Sequence, residues 1–272
     1  MLYTLTKGEI VIKRTLKQDS KVFTCFIVFF SLLCVVCGTC ISAPVGNPGG
    51  PLLLDGKYPT KFTLEAETVL GRDMKSGSSG DPKFYGTFYT GKVSLYVGNK
   101  LDFYGLVGIY DGKIKNFISS EYLVDSKAGP VLGLGLSYVL HEMECLGGLL
   151  RFGADGKYRQ FNPDVDAVKY YRERIATTAN ALSFKEWQAS LGLSYQYKMI
   201  APYAGLKYSD MNAKVEFTTE DGIDHTDTTV SSKDIWGFFY GVDFLLGDNV
   251  SLNVEMRQGD EKALNVGLNA RF

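Results

Sequence analysis

Proline, histidine and cysteine are scarce in this 272-residue chain, which holds 8 Pro, 2 His and 5 Cys. Four of the cysteines, Cys25, Cys34, Cys37 and Cys40, crowd into one apolar stretch near the start. Cys145 is the only one beyond it, so the rest of the chain has no disulfide framework. The two overlapping C-x-x-C spacings, Cys34/Cys37 and Cys37/Cys40, have no second ligand pair and no histidine nearby, which makes a poor zinc site. No metal and no cofactor is expected. There is also no surplus of either charge: 29 Lys+Arg stand against 30 Asp+Glu, and no basic run follows the first 21 residues. Without a cationic patch to neutralise phosphates, nucleic acid is excluded as a partner.

What the chain has instead is 30 Gly, 17 Tyr and 17 Phe, within a composition 45% hydrophobic and 22% charged. That balance can bury a core, and its aromatic and glycine content suits pleated rather than helical backbone. The front end differs from the remainder. A basic region (Lys13, Arg14, Lys17, Lys21) precedes an apolar run from Val22 to Val36 and a small-residue stretch ending Ser42-Ala43. This reads as a cleaved export signal over residues 1–43. The competing reading is an anchoring helix, since Val22–Ile41 is about long enough to span a bilayer, but no basic stop-transfer cluster follows it. Residues 44–60, rich in Pro and Gly without periodicity, read as an extended periplasmic N-terminal tail.

From residue 61 onward the chain alternates. Trp187, Ala189, Leu191, Leu193, Tyr195 and Tyr197 interleave with Gln188, Ser190, Gly192, Ser194 and Gln196, a period of two that belongs to strands. The same split recurs in Leu132–Tyr138, Trp236–Leu246, Val250–Arg257 and Leu264–Phe272. Less regular versions are Phe62–Leu70, Gly91–Val97, Leu101–Tyr110, Leu146–Asp155 and Pro202–Glu216. Ten candidate strands result, with eight as the alternative if the 85–110 region pairs differently. Connections alternate long and short: 71–83, 98–100, 111–129, 141–145, 156–183, 198–201, 217–233 and 247–249, broken only by the short final hairpin at 259–261. Short turns at one end and long loops at the other are how transmembrane barrels are built, and an even strand count puts both termini at the short-turn end.

Alternation also fits a soluble meander. A membrane barrel is favoured by the export signal and by the content of the two faces, with Leu, Val, Phe, Tyr and Trp on one and Gly, Ser, Asn and mixed charge on the other. Closure is then required, because an open edge would leave backbone groups unsatisfied in hydrocarbon. The expected fold is an all-β, closed, antiparallel up-and-down barrel over residues 61–272. Trp187, Tyr195, Tyr197 and Trp236 fall at strand ends as an aromatic girdle. The lumen-facing parity carries Glu65, Glu67, Lys92, Asp102, Arg151, Asp155, Lys207, Asp243, Glu255, Arg257 and Arg271.

The last strand, Ala263-Leu-Asn-Val-Gly-Leu-Asn-Ala-Arg-Phe272, resembles the C-terminal assembly signal of bacterial outer-membrane β-barrel proteins. Over the whole mature chain the pattern is similar to that class. A narrower similarity lies in Pro44-Val-Gly-Asn-Pro-Gly-Gly-Pro-Leu-Leu-Leu-Asp-Gly56, which resembles the mature N-terminus of chlamydial-type major outer membrane porins. This chain is shorter than those porins and has a single cysteine beyond residue 43. The resemblance implies an outer-membrane location, bilayer lipid as surroundings and the barrel-assembly machinery as a partner in biogenesis, with Phe272 as its recognition residue. It further implies a narrow porin-like channel or a structural envelope barrel.

Other features admit both a structural and a functional role. The lumen charges serve either as a rigidifying ion-pair network or as the walls of a constricted pore. Loops 111–129, 156–183 and 217–232 could support surface recognition or adhesion, with solute or extracellular ligand unspecified. Residues 168–175 carry good helix formers and read as a short helical insert. Asp224/His225 could imitate the Asp/His pairs of omptin-type proteases, but neighbours on an extended segment point to opposite sides, and no enzyme is expected. Glu220, Asp221, Asp224 and Asp227 lack EF-hand spacing. His141–Glu144 reads as a polar turn and Cys145 as inert.

Overall fold

A computed structural model describes residues 46–47, 60–76, 81–97, 100–117, 122–171, 173–175, 177–219 and 225–272. The segment read as an export signal lies outside them. The described strands are β1 (Thr60–Lys75), β2 (Lys83–Val97), β3 (Leu101–Lys115), β4 (Tyr122–Ser126), β5 (Gly129–Cys145), β6 (Gly148–Phe161), β7 (Val165–Tyr170), β8 (Glu173–Ile175), β9 (Thr177–Gln196), β10 (Ile200–Thr219), β11 (His225–Ser232), β12 (Trp236–Leu245), β13 (Val250–Gln258) and β14 (Lys262–Arg271).

Ten of these form a closed antiparallel barrel, in the order β1-β2-β3-β5-β6-β9-β10-β12-β13-β14. It closes where β1 pairs with β14 from Lys61↔Arg271 to Gly71↔Lys262. At the seam, the Phe272 amide donates to Thr60 O at 3.0 Å, so the last residue locks onto the first strand. Closure leaves no barrel strand with a free edge, as hydrocarbon requires. The other four strands are not staves. β4, β7 and β8 extend sideways from the outer end of β3, and β11 bridges the outer ends of β10 and β1.

The expected ten-strand barrel is therefore present, but its staves are longer than the alternation indicated. β9 and β10 each run 20 residues, where about 9–11 tilted residues cross a bilayer. The surplus extends past the outer membrane surface, and there the faces exchange polarity. On β10, Leu206 and Tyr208 point outward while Lys207 and Ser209 are buried inside. Beyond Ser209 the outward residues are Asp210, Asn212, Lys214 and Glu216, and the buried ones are Met211, Ala213 and Val215. On β3, outward Val107 and Ile109 give way to Asp111, Lys113 and Lys115, while inward Asp102 gives way to Tyr110 and Ile114. The physics is consistent at both levels. In hydrocarbon the apolar side must face out, and above the headgroups it must face in.

Two expectations are corrected. Residues 165–170 and 173–175 are strands rather than a helical insert: Val165, Ala167 and Val168 are buried, and β7 pairs with β4 and β8, so packing and pairing override helix propensity. Trp187 is not at a strand start but ten residues into β9, because β9 begins at Thr177. Trp187 packs 4.5 Å from Tyr158, and Trp236 packs 5.5 Å from Tyr208, both on the outer rim of the greasy belt. Tyr195 stands at the opposite rim, its hydroxyl donating to Cys145 O at 3.1 Å, and Tyr197 closes the β9–β10 turn through a bridge to Ile200.

Candidate functional site: the layered lumen

The interior has three layers, stacked from the periplasmic mouth to the outer end. The first is a polar vestibule, a cavity of about 510 Å³ including its mouth, lined by Lys61, Glu65, Lys92, Asp102, Asp155 and Asp243 among others. Lys92 Nζ lies 2.9 Å from Glu65 Oε1, and Lys61 Nζ lies 3.5 Å from Asp102 Oδ2. Tyr104 donates its hydroxyl to Asp155 Oδ2 at 2.9 Å, and Arg271 donates to the Tyr96 hydroxyl at 3.1 Å.

The second layer is an ionic belt closed to solvent. Arg159 grips Glu67 with both terminal nitrogens, at 2.8 and 3.2 Å, and also pairs with Glu186. Glu186 in turn takes Arg72 Nη1 at 2.6 Å, and the same nitrogen reaches Glu261 at 3.1 Å. Lys207 sits 2.6 Å from Glu261 and 2.9 Å from Asp260, and Arg257 Nε sits 2.7 Å from Glu255. Arg72, Lys207, Glu186, Glu255 and Arg257 are all 0% exposed. Charge balance is what makes such burial tolerable: Arg72, Arg159 and Lys207 each hydrogen-bond carboxylates, while Arg257 is held by ion-pair proximity to Glu255, Glu67 and Glu261 without a well-aligned hydrogen bond.

The third layer is apolar. Phe84, Phe88, Tyr110, Phe161 and Phe184 cross the lumen above the belt, with Phe161 and Phe184 stacked at 4.4 Å and Phe88 edge-on to Phe161 at 5.1 Å. The Arg159 guanidinium lies 4.1 Å over the Phe88 ring and joins belt to plug. Glycine supplies the space. A Cβ on Gly86 would lie 2.3 Å from the Tyr110 ring, and one on Gly112 would lie 2.2 Å from the Tyr110 hydroxyl, so the ring takes up space left open by a glycine of β2 and by one of its own strand.

Ten of the eleven lumen charges read from the sequence lie in the vestibule or belt: Glu65, Glu67, Lys92, Asp102, Asp155, Lys207, Asp243, Glu255, Arg257 and Arg271. Arg151 shares their parity but stands at the periplasmic rim, where it pairs with half-exposed Glu142 of β5 and joins neither layer. Glu142 is thus strand rather than turn; the turn is Leu146–Gly147. Phe272 is 66% exposed on the outer wall at the seam. Asp224 and the His225 side chain lie outside the described residues, and Asp227 stands 3.5 Å from Lys214. Outside the membrane, Asp73 holds the Lys83 ammonium above its usual range through a hydrogen bond, and Glu216 does the same for Lys214.

Alternation alone missed Arg72, Arg159, Glu186, Asp260 and Glu261. Arg72 has the wrong parity relative to Glu65 and Glu67, and a bulge between Val69 and Arg72 turns it inward. Asp260 and Glu261 belong to the final outer turn, which folds back into the lumen; Asp260 seats where a Cβ on Gly237 would lie 2.1 Å from its Oδ1. Arg159 and Glu186 fall in stretches that appeared to lie outside the strands.

Comparison with known proteins found several similarities. The family model described as Chlamydia major outer membrane protein matches residues 155–219, from β6 to β10, a different stretch from the N-terminal one that carries the sequence resemblance. Outer membrane protein B of Chlamydia pneumoniae is 26% identical over 162 residues, covering 55% of this chain and 46% of that protein. This chain thus spans less than half the length of that relative. Among solved structures, the outer membrane protease OmpT from Escherichia coli superposes with a TM-score of 0.45 at 11% identity, covering 81% of this chain and 99% of that one. The outer membrane protein OprG from Pseudomonas aeruginosa gives 0.41 at 11% identity, covering 79% and 97%. With a closed ten-strand barrel, a lipid-facing apolar wall and this local match, the chain is an outer-membrane β-barrel protein with similarity to the Chlamydia major outer membrane protein family.

Proposed function

We propose that this is a structural envelope barrel, closed to solute flow, rather than a porin-like channel. The observation that carries the reading is the aromatic plug: Phe84, Phe88, Tyr110, Phe161 and Phe184 are at most 1% exposed and span the lumen above a charge belt that is itself dry. A hydrated ion entering there would have to shed its water against rings, and nothing compensates that loss. The reading gives the barrel no catalytic task. Its assembly is proposed to run through the barrel-assembly machinery, which would engage β14 and the exposed Phe272.

Planar-bilayer recording of the refolded protein tests this. Wild type should be silent, and the triple variant F84A/F161A/F184A should conduct in discrete steps. Discrete steps from wild type would refute the proposal. Recognition at the cell surface is a second reading, favoured by three tyrosines on the outer flap: the Tyr122 and Tyr170 rings pack tilted at 4.8 Å, and Tyr170 meets Tyr171 at 4.5 Å, with Tyr171 well exposed. It requires adhesion of protein-bearing vesicles to cultured cells that is lost when residues 164–176 are removed.

A further inference from the structure

Two residues of the N-terminal segment lie inside the barrel. The Gly46 amide donates to Glu255 Oε2 at 2.8 Å, and the Asn47 side-chain amide donates to Asp243 Oδ2 at 2.9 Å. Both partners are lumen carboxylates from β12 and β13, about two hundred residues away in sequence, and Gly46 and Asn47 themselves line the vestibule. Gly46 has φ +73°, a left-handed conformation that a side chain would strain.

The receiving groups are held ready. Asp243 Oδ1 takes Asn253 Nδ2 at 2.7 Å, leaving Oδ2 for the segment; Glu255 Oε1 faces Arg257 while its Oε2 takes the Tyr203 hydroxyl at 3.0 Å as well as the Gly46 amide. The same cavity carries a further acceptor, Asp102 Oδ1, buried without a hydrogen-bond partner. The vestibule therefore offers carboxylate acceptors toward its interior, and what meets two of them is a pair of neutral amide donors.

We propose that the vestibule is a peptide-binding site whose resident ligand is the chain's own Gly46–Asn47, docked from the periplasmic side. Its chemistry selects a segment presenting amide donors, and a negative charge at position 47 would be rejected. The docked segment shields the lower lumen from periplasmic solutes, while the plug closes the upper end. This holds whatever the conductance experiment finds, because its readout is access from the periplasmic mouth and not current.

The test uses the full chain with Cys25, Cys34, Cys37, Cys40 and Cys145 all replaced by serine, to remove the native thiols, and Ser137→Cys, to place one in the vestibule wall. The labelling rate by a water-soluble maleimide is read in detergent, where both ends are open to reagent. N47D sets a carboxylate against Asp243 and should raise the rate about tenfold or more, the equivalent of losing one charge-assisted hydrogen bond. Adding D243N to N47D should bring the rate back down, because the new amide donates to the new carboxylate. Removal of residues 44–58 should match N47D, and a synthetic peptide of that sequence should then protect the thiol in trans. Equal rates for wild type and N47D, or fast labelling of both, would overturn the proposal. The point variants keep the test open should the deletion fail to refold, and a heat-shift gel verifies the barrel in each.

Discussion

Replacing Arg72 with Met removes one guanidinium and leaves a hole in the belt's connectivity. Arg72 makes five hydrogen bonds, to Glu186, Glu261, Ser232 Oγ and both the carbonyl and the hydroxyl of Ser209. It has no solvent to replace them. The Met side chain fills much of the volume, so packing loss is small, and the cost arises from two carboxylates stripped of a partner. Breaking a buried pair this way costs about 3–5 kcal/mol. Glu186 retains Arg159 and Glu261 retains Lys207, which argues for the lower end. Urea unfolding in lipid vesicles, followed by the fluorescence of Trp187 and Trp236, measures it, since these are the protein's two tryptophans and both face lipid. The double variant R72M/E186Q should be less destabilised than the two single changes summed, by about 1–3 kcal/mol of coupling. An R72M barrel within about 0.5 kcal/mol of wild type, the scatter of an ordinary surface change, would refute the idea that the belt holds the lumen together.

Three further outcomes follow from the same geometry. Gly112→Ala should destabilise by about 1–3 kcal/mol through overpacking against Tyr110, whereas Gly105→Ala, whose Cβ meets nothing within 4 Å, should leave unfolding unchanged. Leu134→Arg puts a charge on an outer wall position that is 64% exposed; in lipid this should cost about 2–4 kcal/mol near the midplane, and a neutral result in the same vesicle assay would mean that face meets water. Phe184→Ala should cost about 3–5 kcal/mol, because it opens a cavity among the Phe84, Tyr110 and Phe161 rings that it touches, read as an earlier midpoint in urea.

The barrel's existence, its strand count and the facing of its middle third were legible because a bilayer imposes one rule on every stave at the same height. Leu132, Leu134 and Leu136 alternate with glycines for that reason alone. The upper third was not legible, because the rule reverses there: Met211, Ala213 and Val215 continue the inward parity of Lys207 and Ser209 but with opposite polarity. A reader following the greasy residues sees the pattern break and infers a loop. Bulges hid the rest. A one-residue slip turns every later side chain to the other face, and the irregularity after Val69 placed Arg72 in the belt against the parity count. The docked Gly46–Asn47 had no local signal at all, since its partners are set by closure of the far side of the barrel.

The two faces exchange polarity where β10 leaves the membrane, so that lipid covers one stretch and an apolar plug fills the other. A cysteine scan from Ala204 to Glu216 in the same background without native cysteines, with an impermeant maleimide added outside sealed vesicles that display the outer loops, tests this exchange. Asn212, Lys214 and Glu216 should label fast, while Ala204 and Leu206 stay protected by lipid and Met211, Ala213 and Val215 by the plug. Fast labelling at Ala213 and Val215 would show an open lumen, and fast labelling at Ala204 and Leu206 would show a wall that never met acyl chains.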